Sequence, residues 1–119
     1  MKVIRNEEGD SHQGSTFTGK VELQRKLAAQ KAGGIAVTIV RFEDSALTFW
    51  HDHPGEQILL ILDGVGRVGN DDEEYTVEAG DIVYTGPGER HWHGAAPGQT
   101  MTHVSITTEG PPEWYEPVE

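Results

Sequence analysis

Two pairs of histidines give this sequence its clearest chemical signal. His51 and His53 are one residue apart, and His91 and His93 repeat that spacing forty residues further along the chain. Because successive side chains of a β-strand point to opposite faces of the sheet, each pair projects two imidazoles from one face. Neutral imidazole is the commonest metal ligand in proteins, so the pattern predicts one shared metal site rather than isolated core histidines.

The turn after the first pair supplies two candidates for a further ligand. Gln57 has the same odd-numbered parity as His51 and His53, whereas Glu56 is anionic and is chemically the more obvious ligand for a hard cation. Because Pro54-Gly55 breaks the strand and can reset the register, parity leaves both residues open.

Composition restricts both the site and its partners. The chain has no cysteine, so thiolate chemistry is excluded and any metal must take nitrogen and oxygen ligands. With 20 acidic against 9 Lys and Arg residues the formal net charge is −11, which argues against nucleic acid and anionic membranes as partners. The sequence has neither a run as long as a transmembrane helix nor a secretory signal, and we expect a cytoplasmic protein.

Short Val, Ile and Leu runs between turns predict an all-β, antiparallel sandwich or barrel, and we expect a single domain over 1–119. The 15 Gly and 6 Pro residues punctuate those runs. A tight turn is predicted at Asp63-Gly64. The predicted strands are 3–4, 35–42, 47–53, 58–62, 65–68, 75–77, 82–85, 91–93 and 101–107.

Three segments are harder to interpret. Residues 21–32 have helix-forming composition and a Leu23/Leu27 spacing, although their surroundings are β, so helix and strand both stay open. The polar segment 6–15 is predicted to be a loop, with His12 as a solvated residue in it. In the acidic tail from Gly110, Trp114 and Tyr115 are expected to anchor the chain against the body or a partner subunit rather than to serve function.

The spacing around the first histidine pair resembles the first motif of the cupin family. That motif has two His one residue apart, three or four residues, a Glu, six residues and a Gly. From His53 a three-residue gap leads to Gln57, and six residues later comes Gly64. Glu56 fits neither interval. The resemblance therefore favours Gln57, with Gln in place of the family's Glu.

The second pair resembles the second cupin motif. Gly80, Gly88 and His91 keep the family spacing, while Gly86 replaces the usual Pro and Ala95 the usual Asn. Together the two motifs cover about 35–107. They imply a cupin double-stranded β-helix, which is an antiparallel jelly-roll barrel.

A closer resemblance is to the small manganese-containing single-domain cupins that include the bacterial cupin hydroxynitrile lyases. Residues 51–57 read His-Asp-His-Pro-Gly-Glu-Gln, 87–95 read Pro-Gly-Glu-Arg-His-Trp-His-Gly-Ala, and 101–103 read Met-Thr-His. Phe17-Thr18-Gly19 also looks like the N-terminal strand of those proteins, and 21–27 would then be strand and loop. The resemblance implies a metal held by His51, His53, Gln57 and His91, and it makes His93 and His103 the residues for proton transfer.

The implied ligand set has no formal charge. Three imidazoles and one amide leave the +2 charge of the metal uncompensated, which makes it a stronger Lewis acid than a Glu-containing set would. Mn²⁺ is the metal that the resemblance favours; Fe²⁺, Ni²⁺, Zn²⁺, Co²⁺ and Cu²⁺ also accept such ligands.

The function expected from these features is a metal-dependent enzyme for a small polar organic molecule, with cyanohydrin cleavage as the concrete example. Two alternatives stay open: an iron-dependent cupin dioxygenase, and a cupin that binds a metal or small ligand without catalysis. Because small barrels have exposed sheet edges, we also expect a homo-oligomer, most simply a homodimer.

Overall fold

Ten β-strands make up the secondary structure of the protein, and the computed structural model describes all residues from Met1 to Glu119. No helical segment of the length and hydrophobicity needed to cross a membrane occurs. The strands are β1 (Asp10–Gln13), β2 (Val21–Leu27), β3 (Ala36–Phe42), β4 (His51–Asp52), β5 (Gln57–Asn70), β6 (Glu74–Glu78), β7 (Ile82–Thr85), β8 (His91–Ala95), β9 (Met101–Thr107) and β10 (Glu113–Trp114).

The strands form one curled sheet in the order β1-β2-β3-β9-β5-β8-β4-β10, and every pair is antiparallel. The first half of β5 pairs with β7 and β9, and its second half pairs with β6 and β8. Because β5 contributes to both walls, the sheet closes around a common interior. The predicted all-β antiparallel barrel is confirmed.

The strand β5 bends where the sequence predicted a turn. Gly64 has a φ of +80°, and the pairing of β5 with β9 shifts register between Ile61 and Asp63. The bend redirects the strand into the second wall without reversing it. The predicted turn at 63–64 between two separate strands is therefore wrong, because the local turn chemistry of Asp-Gly also suits a β-bulge.

The apolar core consists of buried side chains inside the barrel. Phe42, Leu59, Ile61 and Met101 are its largest fully buried apolar side chains. Its ten members are Val21, Val40, Phe42, Ala46, Leu59, Ile61, Val68, Val77, Ala95 and Met101. Alternate residues of β3, β5 and β9 supply most of them, as expected when each strand has one inward face.

The N-terminal predictions fail in two places. Residues 3–4 are not a strand, and β1 lies inside the segment that was predicted to be a loop. His12 is exposed as expected, but it belongs to β1 and pairs with Leu23 of β2. The polar sequence of β1 contains no strand pattern. It is a strand because it pairs with β2.

The ambiguous segment 21–32 begins with strand β2 and contains no helix. Six residue pairs join β2 to β3, with one irregularity between Arg25 and Leu27. The helical propensity of the segment is overridden by this pairing and by the burial of Val21. The strand-and-loop alternative implied by the resemblance is confirmed.

The predicted strand 47–53 is regular only at His51–Asp52. Leu47 and Thr48 make isolated bridges to Gly94 and Phe17, and both are buried, so the alternation of inward and outward residues fails there. This segment is covered on both sides by other parts of the chain. Burial therefore no longer alternates from one residue to the next.

The C-terminal tail is fastened to the site strand. β10 pairs with β4, with Trp114 opposite His51. The Tyr115 hydroxyl donates to Asp52 Oδ2 over 2.8 Å. The prediction that the tail is anchored against the body of the same chain is confirmed.

We expect Gly64→Ala to destabilise the fold far more than Gly80→Ala. Both glycines have positive φ, at +80° and +95°, and for an L-residue that conformation costs about 1 kcal/mol. A Cβ at Gly64 would lie 1.8 Å from the Thr100 carbonyl oxygen, whereas nothing lies within 4 Å of one at Gly80. Urea unfolding should give a loss of ~3 kcal/mol for Gly64→Ala. Equal losses for both variants would contradict this account of the bend.

Candidate metal centre

Three buried histidines converge at the open end of the barrel. His51 on β4 lies directly opposite His91 on β8, and His93 follows two residues later on the same face. One ring nitrogen from each lies within 4.8 Å of the others. Their exposed fractions are 1%, 3% and 5%. A cluster of this kind can hold a divalent metal ion.

The other two predicted ligands lie beside this cluster. The His53 ring centroid is 5.1 Å from that of His51 and 5.3 Å from that of His91. Gln57 is the first residue of β5, and its Oε1 lies 3.0 Å from His91 Nε2. The fold therefore brings His53 and Gln57 next to the cluster of His51, His91 and His93.

Glu56 and Gln57 point in opposite directions. Glu56 is exposed, and its carboxylate accepts a hydrogen bond from the Tyr84 hydroxyl. Gln57 is buried; its Nε2 donates to Ser105 Oγ over 2.9 Å, and Thr85 Oγ1 lies 3.5 Å from its Oε1. These contacts direct the amide oxygen of Gln57 to the histidines. Glu56 is excluded from the site because its backbone position on the rim of the barrel faces outward.

Backbone carbonyls orient two of the imidazoles. His51 Nδ1 lies 2.8 Å from the Phe49 oxygen, and His91 Nδ1 lies 2.8 Å from the Glu89 oxygen. A carbonyl can only accept, so each Nδ1 has the proton and each Nε2 keeps a free lone pair. His91 Nε2 then faces the Gln57 oxygen, which is also an acceptor. Two lone pairs at 3.0 Å need a cation to neutralise them, and in this respect the residues fit a bound metal.

Burial keeps the imidazoles in the form that binds metals. It lowers the pKa of His51 to about 2 and the pKa of His53 to about 4, and the neighbouring His91 lowers both further. Burial also lowers the pKa of His91 itself. At neutral pH all three rings are uncharged and offer a lone pair.

One histidine of the cluster, His93, forms a hydrogen-bonded pair with His103. His103 Nε2 on β9 lies 3.0 Å from His93 Nδ1 on β8. The other nitrogen of each ring, His93 Nε2 and His103 Nδ1, is buried without any hydrogen-bond partner. Burial lowers the pKa of His103 to about 4 and holds the pKa of His93 well below its usual value. The pair is thus neutral, with one proton between the rings.

A cavity of about 620 Å³ leads from the barrel mouth to these histidines. Its size suits a small organic ligand. Its walls include Thr38, Val40, Ser105 and Thr107 from the inner sheet face, and Phe17, Pro112 and Trp114 from the N-terminal bridge and the tail.

Sequence reasoning missed two residues of the site. Trp114 was assigned to anchoring alone, yet its ring lies 4.5 Å from that of His51 and lines the cavity. No local pattern distinguishes it from a packing residue. Ser105, which holds Gln57, could have been found, because it lies two residues after His103 and so shares its strand face.

Comparison with known proteins agrees with this architecture. A family model for the cupin domain matches residues 38–107. An (R)-mandelonitrile lyase from Granulicella tundricola is 43% identical over 93 residues, which cover 76% of this chain and 70% of that protein.

Solved structures agree as well. A cupin-like protein from Thermotoga maritima has a TM-score of 0.87 and 34% identity, covering 97% of this chain and 92% of its own. The polyketide cyclase RemF from Streptomyces resistomycificus has a TM-score of 0.78 over 100% of this chain and 88% of its own, and at 16% identity it supports the fold alone. With the family match over more than half of its length and the barrel that carries both motifs, this chain belongs to the cupin family.

Proposed function

We propose that this protein is a metal-dependent lyase that cleaves and forms cyanohydrins of small aldehydes or ketones. The observation that carries the proposal is the hydrogen bond between His103 and His93, which is itself a member of the three-histidine cluster at the inner end of the cavity. It combines a proton acceptor with a cation site in one water-poor volume. The 43% identity to an (R)-mandelonitrile lyase supports the same reaction class.

The metal ligands in this proposal are His51, His53, Gln57 and His91, and Mn²⁺ is the first choice of metal. The lone pairs on His51 Nε2 and His91 Nε2, and the amide oxygen of Gln57, support the assignment. When bound, the ion supplies Lewis acidity toward the substrate oxygen, undiminished by any anionic protein ligand.

The proton is handled by the two remaining histidines. In the tautomer in which His93 Nδ1 donates to His103 Nε2, His93 Nε2 has a free lone pair. His93 accepts the hydroxyl proton of the cyanohydrin and can pass its other proton to His103. The bond between the carbinol carbon and the nitrile carbon breaks, its electron pair leaves with cyanide, and the carbonyl forms. The histidine pair then returns the proton, which gives HCN.

An aromatic ring holds this pair in place. Phe42 is fully buried, and its ring centroid lies 6.0 Å from that of His93 and 5.2 Å from that of His103. The contact excludes water from the side of the pair that faces the core. Without water there, the proton is exchanged with the substrate instead of with solvent.

The proposed assembly is a homodimer formed through the outer face of the sheet. Cross-strand neighbours on this face form two apolar rows, which together we call the outer apolar face: Tyr84, Ile58, Ile106 and Val37 in one row, and Ile82, Leu60, Val104 and Ile39 in the other. Ile82 is 67% exposed and Tyr84 57%. A second copy presents the same uncharged face, so a two-fold contact covers both without burying a charge.

Replacing His103 by alanine should lower kcat for mandelonitrile cleavage by about a hundredfold, because His93 then has no partner to receive its second proton. Metal content should be unchanged, since His103 is not a proposed ligand. His12→Ala is the matched control, because His12 also lines the cavity but is exposed at its mouth. Steady-state kinetics and elemental analysis test this. Undiminished activity in His103→Ala would remove it from the mechanism.

The variant Gln57→Glu should retain the metal but turn over more slowly, by about tenfold or more. The added negative charge reduces the Lewis acidity of the ion and raises the affinity of the neighbouring imidazoles for protons. Glu56→Gln changes the adjacent residue in the opposite sense and should leave both properties unchanged, because Glu56 faces Tyr84. The two variants are compared by their metal content, measured by mass spectrometry, and by their kcat. A third variant, Gln57→Ala, removes the amide oxygen altogether. The ligand assignment would be overturned if Glu56→Gln lost the metal while Gln57→Ala retained it.

The double substitution of Ile82 and Tyr84 by lysine should convert the dimer to a monomer, because it places four charges in a closed two-fold contact. Tyr75→Lys is the control, since Tyr75 is 55% exposed on β6 but lies outside the outer apolar face. Light scattering after size exclusion gives the mass of each species. A wild-type monomer, or a dimer that survives the double substitution, would refute this interface.

A further inference from the structure

We propose that Arg25 is a specificity-determining residue that binds a carboxylate of the substrate at the mouth of the cavity. The substrate is then an anionic small molecule, with a hydroxyl or carbonyl group at the histidine end and a carboxylate at the far end. This inference rests on the proposed function for the reacting end of the ligand, and it concerns a part of the cavity that the reaction itself does not use.

The register of the sheet connects Arg25 to the metal centre. On one inward row, Arg25 of β2 lies opposite Thr38 of β3, and Thr38 lies opposite Ser105 of β9. Ser105 Oγ accepts from Gln57 Nε2. Neighbouring strands are about 4.8 Å apart, so the Arg25 and Ser105 backbones are separated by about 10 Å. Arg25 and Ser105 both line the cavity of about 620 Å³, which has room for one small molecule.

The guanidinium of Arg25 has no carboxylate of its own. None of the four ion pairs of the protein includes it, whereas Lys20, Arg41, Arg67 and Arg90 are each paired with a glutamate. Asp10 lies opposite Arg25 in the β1–β2 pairing, but it does not come within ion-pair distance. Arg25 therefore keeps all five donors free, in the planar geometry that matches a carboxylate.

Acidic residues are absent from the cavity wall. The chain has 20 of them, yet none is among the 27 residues that line the cavity. Arg25 is the one formally charged residue in that lining, and five histidines accompany it. An anion inside the cavity would thus meet a cation and no carboxylate, although the protein as a whole has a net charge of −11. A surface selected only for solubility would not separate charge in this way.

The wall between the two polar ends is apolar on one side. Leu23 and Leu27 flank Arg25 on β2, and Trp114 and Phe17 form the side toward the tail. The rings of Trp114 and Phe17 are 6.0 Å apart and nearly edge to face. This surface suits a hydrocarbon or aromatic segment that links the reacting carbon to the carboxylate.

The binding test uses two probes that differ only by a carboxylate group. 4-(Hydroxymethyl)benzoate and benzyl alcohol are titrated into the Mn²⁺-loaded protein by calorimetry. We expect the carboxylate probe to bind more tightly to wild type, and we expect Arg25→Gln to weaken it by about tenfold with little effect on benzyl alcohol. Arg25→Lys should recover part of the loss, because it restores the charge but not the two parallel hydrogen bonds.

Arg41→Gln is the matched control. It removes the same charge from the adjacent strand β3, where Arg41 is paired with Glu43 and does not line the cavity. If Arg41→Gln weakens the carboxylate probe as much as Arg25→Gln does, the effect is one of overall charge and the inference is wrong. Equal affinities of wild type for the two probes also overturn it.

Turnover separates this inference from the proposed reaction. The cyanohydrins of 4-formylbenzoate and benzaldehyde are compared by kcat/KM, and Arg25→Gln should lower the carboxylate-to-neutral ratio by about tenfold. If neither cyanohydrin is cleaved but the probe preference depends on Arg25, the lyase proposal fails and the carboxylate site stands. If both are cleaved and the ratio does not change in Arg25→Gln, the carboxylate site fails and the lyase proposal stands.

Discussion

The structure depends on keeping several imidazoles buried and uncharged at the open end of a small barrel. Removing a charged imidazole from water is costly, so burial selects the neutral form, and each neutral ring must then find partners for one donor and one acceptor. The Phe49 and Glu89 carbonyls accept from His51 and His91, and one hydrogen bond joins His93 to His103, while the other nitrogen of each of those two rings has no partner. The remaining lone pairs of His51 and His91 point to a shared volume. They converge because the Nδ1 atom on the other side of each ring is already bonded to a backbone carbonyl. The two free lone pairs therefore favour a cation.

The barrel provides the rigidity that this arrangement requires. β5 contributes to both walls and bends at Gly64, so that its first residue, Gln57, reaches the metal centre while its second half pairs with β8. The pairing of His51 with His91 and the pairing of Trp114 with His51 join the tail, β4 and β8 into one unit. Because His51, Gln57 and His91 lie on paired strands, the distances between them are set by sheet geometry.

Charge is distributed unevenly between the surface and the cavity. The acidic residues lie outside the lining of the cavity, whereas the histidines and Arg25 lie within it. The proposed neutral ligand set and the free guanidinium act in the same direction, since both favour a ligand with anionic or oxygen-rich ends. The outer apolar face lies on the other side of the same sheet. The inward faces of the strands thus carry both the apolar core and the histidine site, while the outer face carries the two exposed apolar rows.

The sequence by itself determined the barrel class, most of the strands from 35 onward and the residues gathered at the site. Motif spacing also favoured Gln57 over Glu56 as a ligand, and in the structure Gln57 is buried whereas Glu56 is exposed. Only the tertiary structure decided that 21–27 is a strand, that 10–13 pairs with it and that Gly64 bends a strand instead of ending it. It also decided that Trp114 and Arg25 face the cavity. These features share a physical reason: each depends on a partner distant in the chain, and strand pairing overrides local propensity where the local signal is weak.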